Sequence, residues 1–144
     1  MDTVVQPGAL VVDDEAVDVI VVQKSLERAG YRVWSGSDYV QGLEVFRLHA
    51  DEIDILIADV SLPDGTGIEL ARACLRLKRT LKILFVSGWA GAEFLDYAGI
   101  SKGDLHFLPK PFRSSVLVSR VAEVLASTDR IPWLEIPDAA GRGE

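Results

Sequence analysis

Three short runs of the sequence are almost continuously apolar, and each leads directly into polar side chains. They are ALVV at 9–12, ILIA at 55–58 and ILFV at 83–86. A strand with one face in water alternates apolar and polar residues, whereas a strand covered on both faces is apolar throughout. The three runs therefore predict central strands of a parallel sheet. Weaker candidates for two more strands are YRVW at 31–34 and HFL at 106–108.

The segments between these runs carry apolar residues at helical spacing. The four clear stripes are Val19, Val22, Leu26 and Ala29; Tyr39, Leu43, Phe46 and Ala50; Ile68, Ala71 and Leu75; and Leu117, Val121 and Val124. Helices that alternate with strands in this way predict an α/β fold, because each connection crosses back over the sheet. We therefore expect a doubly wound parallel sheet with helices on both faces.

Two details of the helices follow from local sequence. We expect side-chain caps from Ser37 or Asp38 on the second helix and from Ser114 or Ser115 on the last. The helix before the last should be short and lie near 92–98, because glycines flank it on both sides.

The net charge of −7 argues against partners that are polyanions. Phosphate backbones and anionic membrane surfaces attract basic protein faces, so we expect neither nucleic acid nor a membrane as a direct partner. No apolar stretch approaches the roughly 20 residues that span a bilayer, and the first residues lack a secretory signal. The single cysteine, Cys74, excludes an internal disulfide and suits the reducing cytoplasm, where we expect the protein.

The length of 144 residues suits one domain. The alternating pattern begins at residue 9 and fails after residue 126. We therefore expect a lead-in at 1–8, the domain at 9–126, and a tail or linker at 127–144 that adds nothing to the core. This tail is short and lacks a basic helix pair, so we expect no DNA-binding module in it.

Residues suited to one kind of chemistry follow four of the predicted strands. Asp13 and Asp14 follow the first strand, Asp59 the third, Ser87 the fourth and Lys110 the fifth. The carboxyl ends of parallel strands share one rim, so these side chains should converge. Three clustered carboxylates cannot all stay ionised without a cation, and an all-oxygen site suits Mg²⁺. An Asp beside Mg²⁺ can attack a phosphoryl group, while Lys and Ser neutralise the phosphoryl oxygens.

Each of these residues has an ordinary explanation when it is taken alone. The acids at 13–15 could begin a helix, where the dipole favours negative charge. Asp59 could be a loop residue, Ser87 with Gly88 is weaker evidence of function than Asp59, and Lys110 could simply end a strand. Their delivery to one rim by four separate strands favours the phosphoryl-transfer site.

Four segments resemble the receiver domains of response regulators in two-component signalling. They are LVVDDE at 10–15, DVSLPDGTG at 59–67, ILFVSG at 83–88 and FLPKPF at 107–112. The resemblance extends from residue 9 to about residue 126. It implies a flavodoxin-like (βα)5 fold with five parallel strands in the order 2-1-3-4-5.

The resemblance also implies a metal and phosphoacceptor site. Asp59 would accept the phosphoryl group, Asp14 would bind Mg²⁺ directly, and Asp13 would reach the ion mostly through water. The main-chain carbonyl of Ser61 would complete the protein ligands, and Mn²⁺ could replace Mg²⁺. Trp89, with Ser61 opposite, should lie at the pocket mouth and limit the access of water.

Three further residues match the switch elements of the family. Lys110 would bind the phosphoryl group, Ser87 would move to hydrogen-bond it, and Phe107 would turn inward. The bond between Lys110 and Pro111 is implied to be cis.

The implied function is signalling. A sensor histidine kinase or a histidine phosphotransfer protein would donate the phosphoryl group. The surface of the fourth helix, fifth strand and fifth helix would then change its affinity for a downstream protein. The same residues leave open a receiver module of a hybrid histidine kinase in a phosphorelay, a pseudo-receiver that acts without phosphorylation, and a dimer through the fourth and fifth helices.

Three other classes fit the sequence less well. A phosphohydrolase of the haloacid-dehalogenase type needs a second Asp two residues after the nucleophile, where this chain has Ser61. A flavin-binding domain needs a Ser/Thr/Gly-rich phosphate loop after the first strand, where this chain has acids that would repel phosphate. A nucleotide-binding P-loop is excluded because its glycine-lysine motif is absent from the sequence.

Overall fold

The structure is a computed structural model that describes residues 6–101, 103, 105–128 and 134. Its strands are Gly8–Val12 (β1), Arg32–Gly36 (β2), Ile55–Asp59 (β3), Ser61–Leu62 (β4), Gly65–Thr66 (β5), Lys82–Ser87 (β6) and Phe107–Pro109 (β7). Five of them form one parallel sheet in the order β2-β1-β3-β6-β7. Counted within that sheet alone, this is the predicted order 2-1-3-4-5, which is confirmed. The remaining two, β4 and β5, form a small antiparallel hairpin after β3 that the sequence patterns did not indicate.

In the described part of the chain, four helices connect the strands and a fifth follows the last strand, and together they cover both faces of the sheet. They are Ala16–Arg28 (α1), Tyr39–His49 (α2), Gly67–Leu77 (α3), Trp89–Tyr97 (α4) and Ser114–Ala126 (α5). Buried residues of α1 and α5 pack in one hydrophobic cluster, and those of α2, α3 and α4 pack in another. None of the helices in the described part of the chain is long and apolar enough to cross a membrane.

The two clusters explain why the central strands are apolar throughout. In β1, Leu10 and Val12 belong to the cluster under α2, α3 and α4, whereas Ala9 and Val11 belong to the cluster under α1 and α5. All four side chains are buried. Since neighbouring residues of a strand point to opposite faces, a sheet covered on both sides needs an apolar residue at every position.

Two predictions about helix ends need correction. Helix α4 begins at Trp89, three residues before the predicted start, because Gly88 is in an extended conformation and serves as its N-cap. Helix α5 has Arg113 as its N-cap residue, with no side-chain cap. The Ser114 hydroxyl does not cap α5 because it donates to Ser25 Oγ in α1, at 2.6 Å. The expected cap on α2 is confirmed, since Asp38 accepts from the Gln41 amide at 2.8 Å.

The segment after α5 contributes to the core at one described position. Leu134 is 2% exposed and belongs to the cluster under α2, α3 and α4, on the opposite face of the sheet from α5. Nearer α5, the Ser127 carbonyl accepts a hydrogen bond from Lys82 Nζ at 2.5 Å. The prediction that the tail adds nothing to the core is therefore wrong at Leu134. Most of the predicted tail and residues 1–5 of the lead-in lie outside the described residues, and the domain boundary stays a prediction.

Candidate functional site

The polar residues singled out from the sequence meet at one rim of the sheet. Asp13 directly follows β1, Asp59 and Ser87 are the last residues of β3 and β6, and Lys110 directly follows β7. A backbone hydrogen bond of 2.9 Å from the Lys110 amide to the Ser87 carbonyl holds Ser87 and Lys110 side by side. The parallel register therefore brings together residues that are up to 97 positions apart in sequence.

The Lys110 ammonium is the centre of this cluster. Its Nζ lies 2.6 Å from Asp13 Oδ2 and 2.9 Å from Asp59 Oδ2. Both acids are almost completely buried, with exposed fractions of 3% and 6%. Ionised acids in such positions need a partner, and an ammonium within hydrogen-bond distance of both supplies one.

Burial and pairing act on the pKa values in opposite directions. Burial raises the pKa of Asp13, and the hydrogen bonds from Lys110 and from the Glu15 amide only partly offset this. Burial alone would lower the pKa of Lys110. Its hydrogen bonds to three carboxylates, one of them from Asp18, outweigh burial, so the Lys110 pKa is raised and the side chain is protonated. The site therefore holds one fixed positive charge among crowded acids.

The acids at the rim form a suitable set of ligands for a divalent cation. Asp13, Asp14 and Asp59 each offer a carboxylate oxygen, and these oxygens all lie within 4.8 Å of one another. Asp14 is exposed, whereas the other two are buried. An all-oxygen set with one open side fits Mg²⁺, which keeps part of its water shell when it binds proteins.

An open cleft of about 360 Å³ lies beside these acids, and Asp14, Asp59 and Lys110 contribute to its lining. Ser61 and Trp89 also line this cleft, and the Trp89 side chain is 77% exposed. The Ser61 amide donates to Asp59 Oδ1 at 3.0 Å, which fixes the orientation of that carboxylate. Asp59 is thus buried on one side and reachable from solvent through the cleft.

Comparison with known proteins identifies the family. A family model described as the response regulator receiver domain matches residues 9–122. The chain belongs to the response regulator receiver domain family. Members of this family are signalling modules of two-component systems that interact with histidine kinases or phosphotransfer proteins.

The relatives of this receiver domain are different kinds of protein. It is 37% identical over 140 residues to the transcriptional regulatory protein CseB of Streptomyces coelicolor, and the match covers 96% of this chain and 58% of that protein. It is 33% identical over 120 residues to the sensor kinase CckA of Brucella abortus, covering 83% of this chain and 12% of that protein. The chain therefore spans only part of the length of these relatives.

The fold of this receiver domain also matches solved structures. A response regulator receiver protein from Sinorhizobium medicae WSM419 superposes with a TM-score of 0.73 at 26% identity, over 86% of this chain and 98% of that one. The flavodoxin-like α/β fold expected from the resemblance is thereby confirmed.

Two of the three residues matched to the family's switch elements, Ser87 and Lys110, contact Asp59 in this receiver domain. The Ser87 hydroxyl donates to Asp59 Oδ1 at 3.3 Å and is buried. Phe107 is half-buried and packs against the cluster under α2, α3 and α4. Its carbonyl accepts from Arg120 at 2.7 Å, which ties β7 to α5. The bond between Lys110 and Pro111 is cis.

Two residues of the site were not singled out from the sequence. Asp18, in the first turn of α1, lies 2.9 Å from Lys110 Nζ. Gly91, in the first turn of α4, lies so close to Ser87 that a Cβ there would overlap the Ser87 hydroxyl. Both contacts depend on how a helix is placed over the sheet. The only signal in the sequence is spacing, since Asp18 follows Asp14 by four residues and Gly91 follows Ser87 by four.

Proposed function

We propose that this receiver domain accepts a phosphoryl group on Asp59 from a phosphohistidine of a sensor histidine kinase or a histidine phosphotransfer protein. The observation that carries the proposal is the surroundings of the Asp59 carboxylate. It receives hydrogen bonds from Lys110, Ser87 and the Ser61 amide, and it faces an open cleft beside two more acids. The Asp59 carboxylate is therefore held in a fixed orientation, and the Lys110 ammonium and the Ser87 hydroxyl already lie where phosphoryl oxygens would need donors.

The reaction breaks the bond between phosphorus and the histidine nitrogen and forms a bond between phosphorus and an Asp59 oxygen. The histidine nitrogen keeps the electron pair of the broken bond. Asp13, Asp14, Asp59 and the main-chain carbonyl of Ser61 would hold Mg²⁺, or Mn²⁺ in its place, and the ion would neutralise charge on the phosphoryl oxygens. Lys110 supplies a second positive charge there, because its ammonium already contacts the Asp59 carboxylate.

The output proposed for this domain is a change in its surface. After phosphorylation, Ser87 turns to the phosphoryl oxygens and Phe107 turns inward, which alters the face made by α4, β7 and α5. A partner that prefers the altered face then shifts the equilibrium towards it. The occupant of this face is a downstream protein, and pairing of two copies through α4 and α5 is the alternative.

A second candidate has support from one comparison. The 33% identity to a segment of the sensor kinase CckA favours a receiver module that works inside a hybrid histidine kinase. In that case the phosphoryl group arrives from the kinase core of the same protein and leaves to a phosphotransfer protein. The chemistry at Asp59 is the same in both cases.

The experiment is to incubate the protein with acetyl phosphate and Mg²⁺ and to measure its mass under mild conditions. We expect one phosphoryl adduct that requires Mg²⁺ and is lost in Asp59→Asn. Asp51→Asn is the matched control, because Asp51 is an exposed acid outside the site. Absence of the adduct, both with acetyl phosphate and with a phosphorylated histidine kinase, would favour a pseudo-receiver that binds partners without phosphorylation.

A further inference from the structure

One of the three acids within 2.9 Å of the Lys110 ammonium has no role in the proposed phosphoryl transfer. Asp18 Oδ2 lies 2.9 Å from Lys110 Nζ, as close as Asp59 Oδ2 does. Asp18 belongs to α1 and is 92 positions away from Lys110 in sequence. Its side chain is 36% exposed, so the contact lies at the edge of the site towards α1.

The contacts of Lys110 match the number of hydrogens that it can donate. An ammonium group has three N–H donors. Three carboxylate oxygens lie within 2.9 Å of Nζ, one each from Asp13, Asp18 and Asp59. A fourth acid, Glu15, is 3.5 Å away and 66% exposed, so its interaction with Lys110 is weaker. All three donors are therefore in use, and one of them is directed to Asp18.

We propose that Asp18 is a positioning residue that holds the Lys110 ammonium over Asp59 during phosphoryl transfer. The inference rests on the proposed function, since it concerns the same reaction. When Asp59 becomes phosphorylated, the donor directed at Asp59 turns to a phosphoryl oxygen. The other two donors stay on Asp13 and Asp18, so the charge does not have to be reoriented as the phosphoryl group arrives.

Two other effects of Asp18 predict different results. An acid in the first turn of α1 stabilises the helix through its dipole, and losing that effect would lower stability without lowering the maximal rate. A negative charge near the pocket also repels an anionic phosphoryl donor, and losing that repulsion would make the reaction faster. Positioning alone predicts a slower maximal rate in a protein that remains folded.

The test measures the rate of Asp59 phosphorylation by acetyl phosphate at several Mg²⁺ concentrations. We compare the full chain with Asp18→Ala, Asp18→Asn and Glu27→Ala. Glu27 is an exposed acid of the same helix that hydrogen-bonds Gln23, so Glu27→Ala controls for the loss of one negative charge from α1. Thermal denaturation of each variant shows whether it remains folded.

We expect Asp18→Ala to lower the maximal rate about tenfold, as expected for loss of one hydrogen bond to a charged group. The Mg²⁺ concentration at half-maximal rate should change little. Asp18→Asn should retain an intermediate rate, because an amide oxygen can still accept from Lys110. Glu27→Ala should behave as the parent does.

An unchanged or faster maximal rate in both Asp18 variants, with the parent phosphorylated normally, would overturn the positioning role and leave the proposed function intact. Failure to phosphorylate the parent itself, with either acetyl phosphate or a phosphorylated histidine kinase, would overturn the proposed function and this inference with it. If Asp18→Ala does not fold, the comparison of Asp18→Asn with the parent decides the matter in the same way.

Discussion

The contact between Ser87 and Gly91 allows a stability prediction that separates packing from helix propensity. A Cβ added at Gly91 would overlap Ser87 Oγ, lie 2.6 Å from Ser87 Cβ and lie 3.2 Å from Val60 Cβ. A new rotamer of Ser87 would relieve the first overlap but not the second, because Ser87 Cβ is fixed by the β6 backbone. Gly91→Ala therefore requires a shift of α4 away from the sheet.

The magnitude follows from three contributions. Replacing Gly by Ala inside a helix stabilises it by about 1 kcal/mol. Overpacking a buried site costs about 1 to 3 kcal/mol, and loss of the Ser87 hydrogen bond to Asp59 costs about 1 kcal/mol. We expect Gly91→Ala to lower the free energy of unfolding by about 2 kcal/mol, which corresponds to a melting temperature lower by about 6 °C.

The matched control is Gly88→Ala, three residues earlier. A Cβ at Gly88 would meet nothing within 4 Å, and Gly88 is the N-cap residue of α4. Its replacement should cost only about 0.5 kcal/mol, from the lower preference of Ala for that position. Urea denaturation of both variants and the parent measures the difference. If Gly91→Ala proves as stable as Gly88→Ala or more stable, helix propensity outweighs the contact, and the argument that α4 is pressed against Ser87 is refuted.

Three further predictions concern other parts of the molecule. Backbone hydrogen bonds from Tyr39 and Val40 outweigh burial and lower the pKa of Asp64. Its contribution to stability is therefore present above pH 4 and lost as the pH falls through the lowered pKa. Urea midpoints should show Asp64→Asn less stable than the parent at pH 6, with the difference shrinking towards pH 3; a constant difference would contradict this. Leu134→Ala should lower the free energy of unfolding by about 2 to 5 kcal/mol, because a buried Leu is lost from the core, and an unchanged urea midpoint would show that the residue does not pack there in solution. Trp89→Ala should speed the hydrolysis of phosphorylated Asp59 by opening the mouth of the cleft, and an equal rate of phosphate release would refute the shielding role.

The sheet and the acidic site were accessible from sequence because their signals are local. Continuous apolar runs occur where both faces of a strand are covered, as the clusters on the two sides of β1 demonstrate. The residue that ends a parallel strand lies at the rim whatever its neighbours are, so Asp59 and Lys110 could be placed together without knowledge of any contact.

The parts that were missed depend on contacts between elements rather than on local pattern. Asp18 meets Lys110 only because packing brings the first turn of α1 next to the residue that follows β7. The Ser114 hydroxyl was expected to cap its own helix, but it bonds Ser25 of α1 instead, at 2.6 Å. Leu134 lies in a sequence region with no helical or strand periodicity, and its burial depends on packing in the cluster under α2, α3 and α4. Such contacts are specified by tertiary packing, which no single stretch of sequence contains.

The surroundings of Asp59 differ on the two faces of the sheet, and this difference indicates where a change at Asp59 is transmitted. Towards α1 the connection is electrostatic, through Lys110 and Asp18, and α1 is held by the buried residues Val22, Ser25 and Leu26. Towards α4 the connection is steric, because Ser87, which hydrogen-bonds Asp59, lies directly against Gly91 of α4.

Helix α4 has less holding it in place than α1. Its buried residues are Gly91 and Leu95, whereas its aromatic residues Trp89, Phe94 and Tyr97 are 77%, 36% and 91% exposed. Elements with few buried apolar contacts have the lowest local stability. If the Ser87 hydroxyl moves towards a phosphoryl group on Asp59, it leaves its position against Gly91. The contact that limits how closely α4 approaches the sheet is then lost. Since α1 has more buried contacts to lose, we expect α4 to move first and α1 to remain in place.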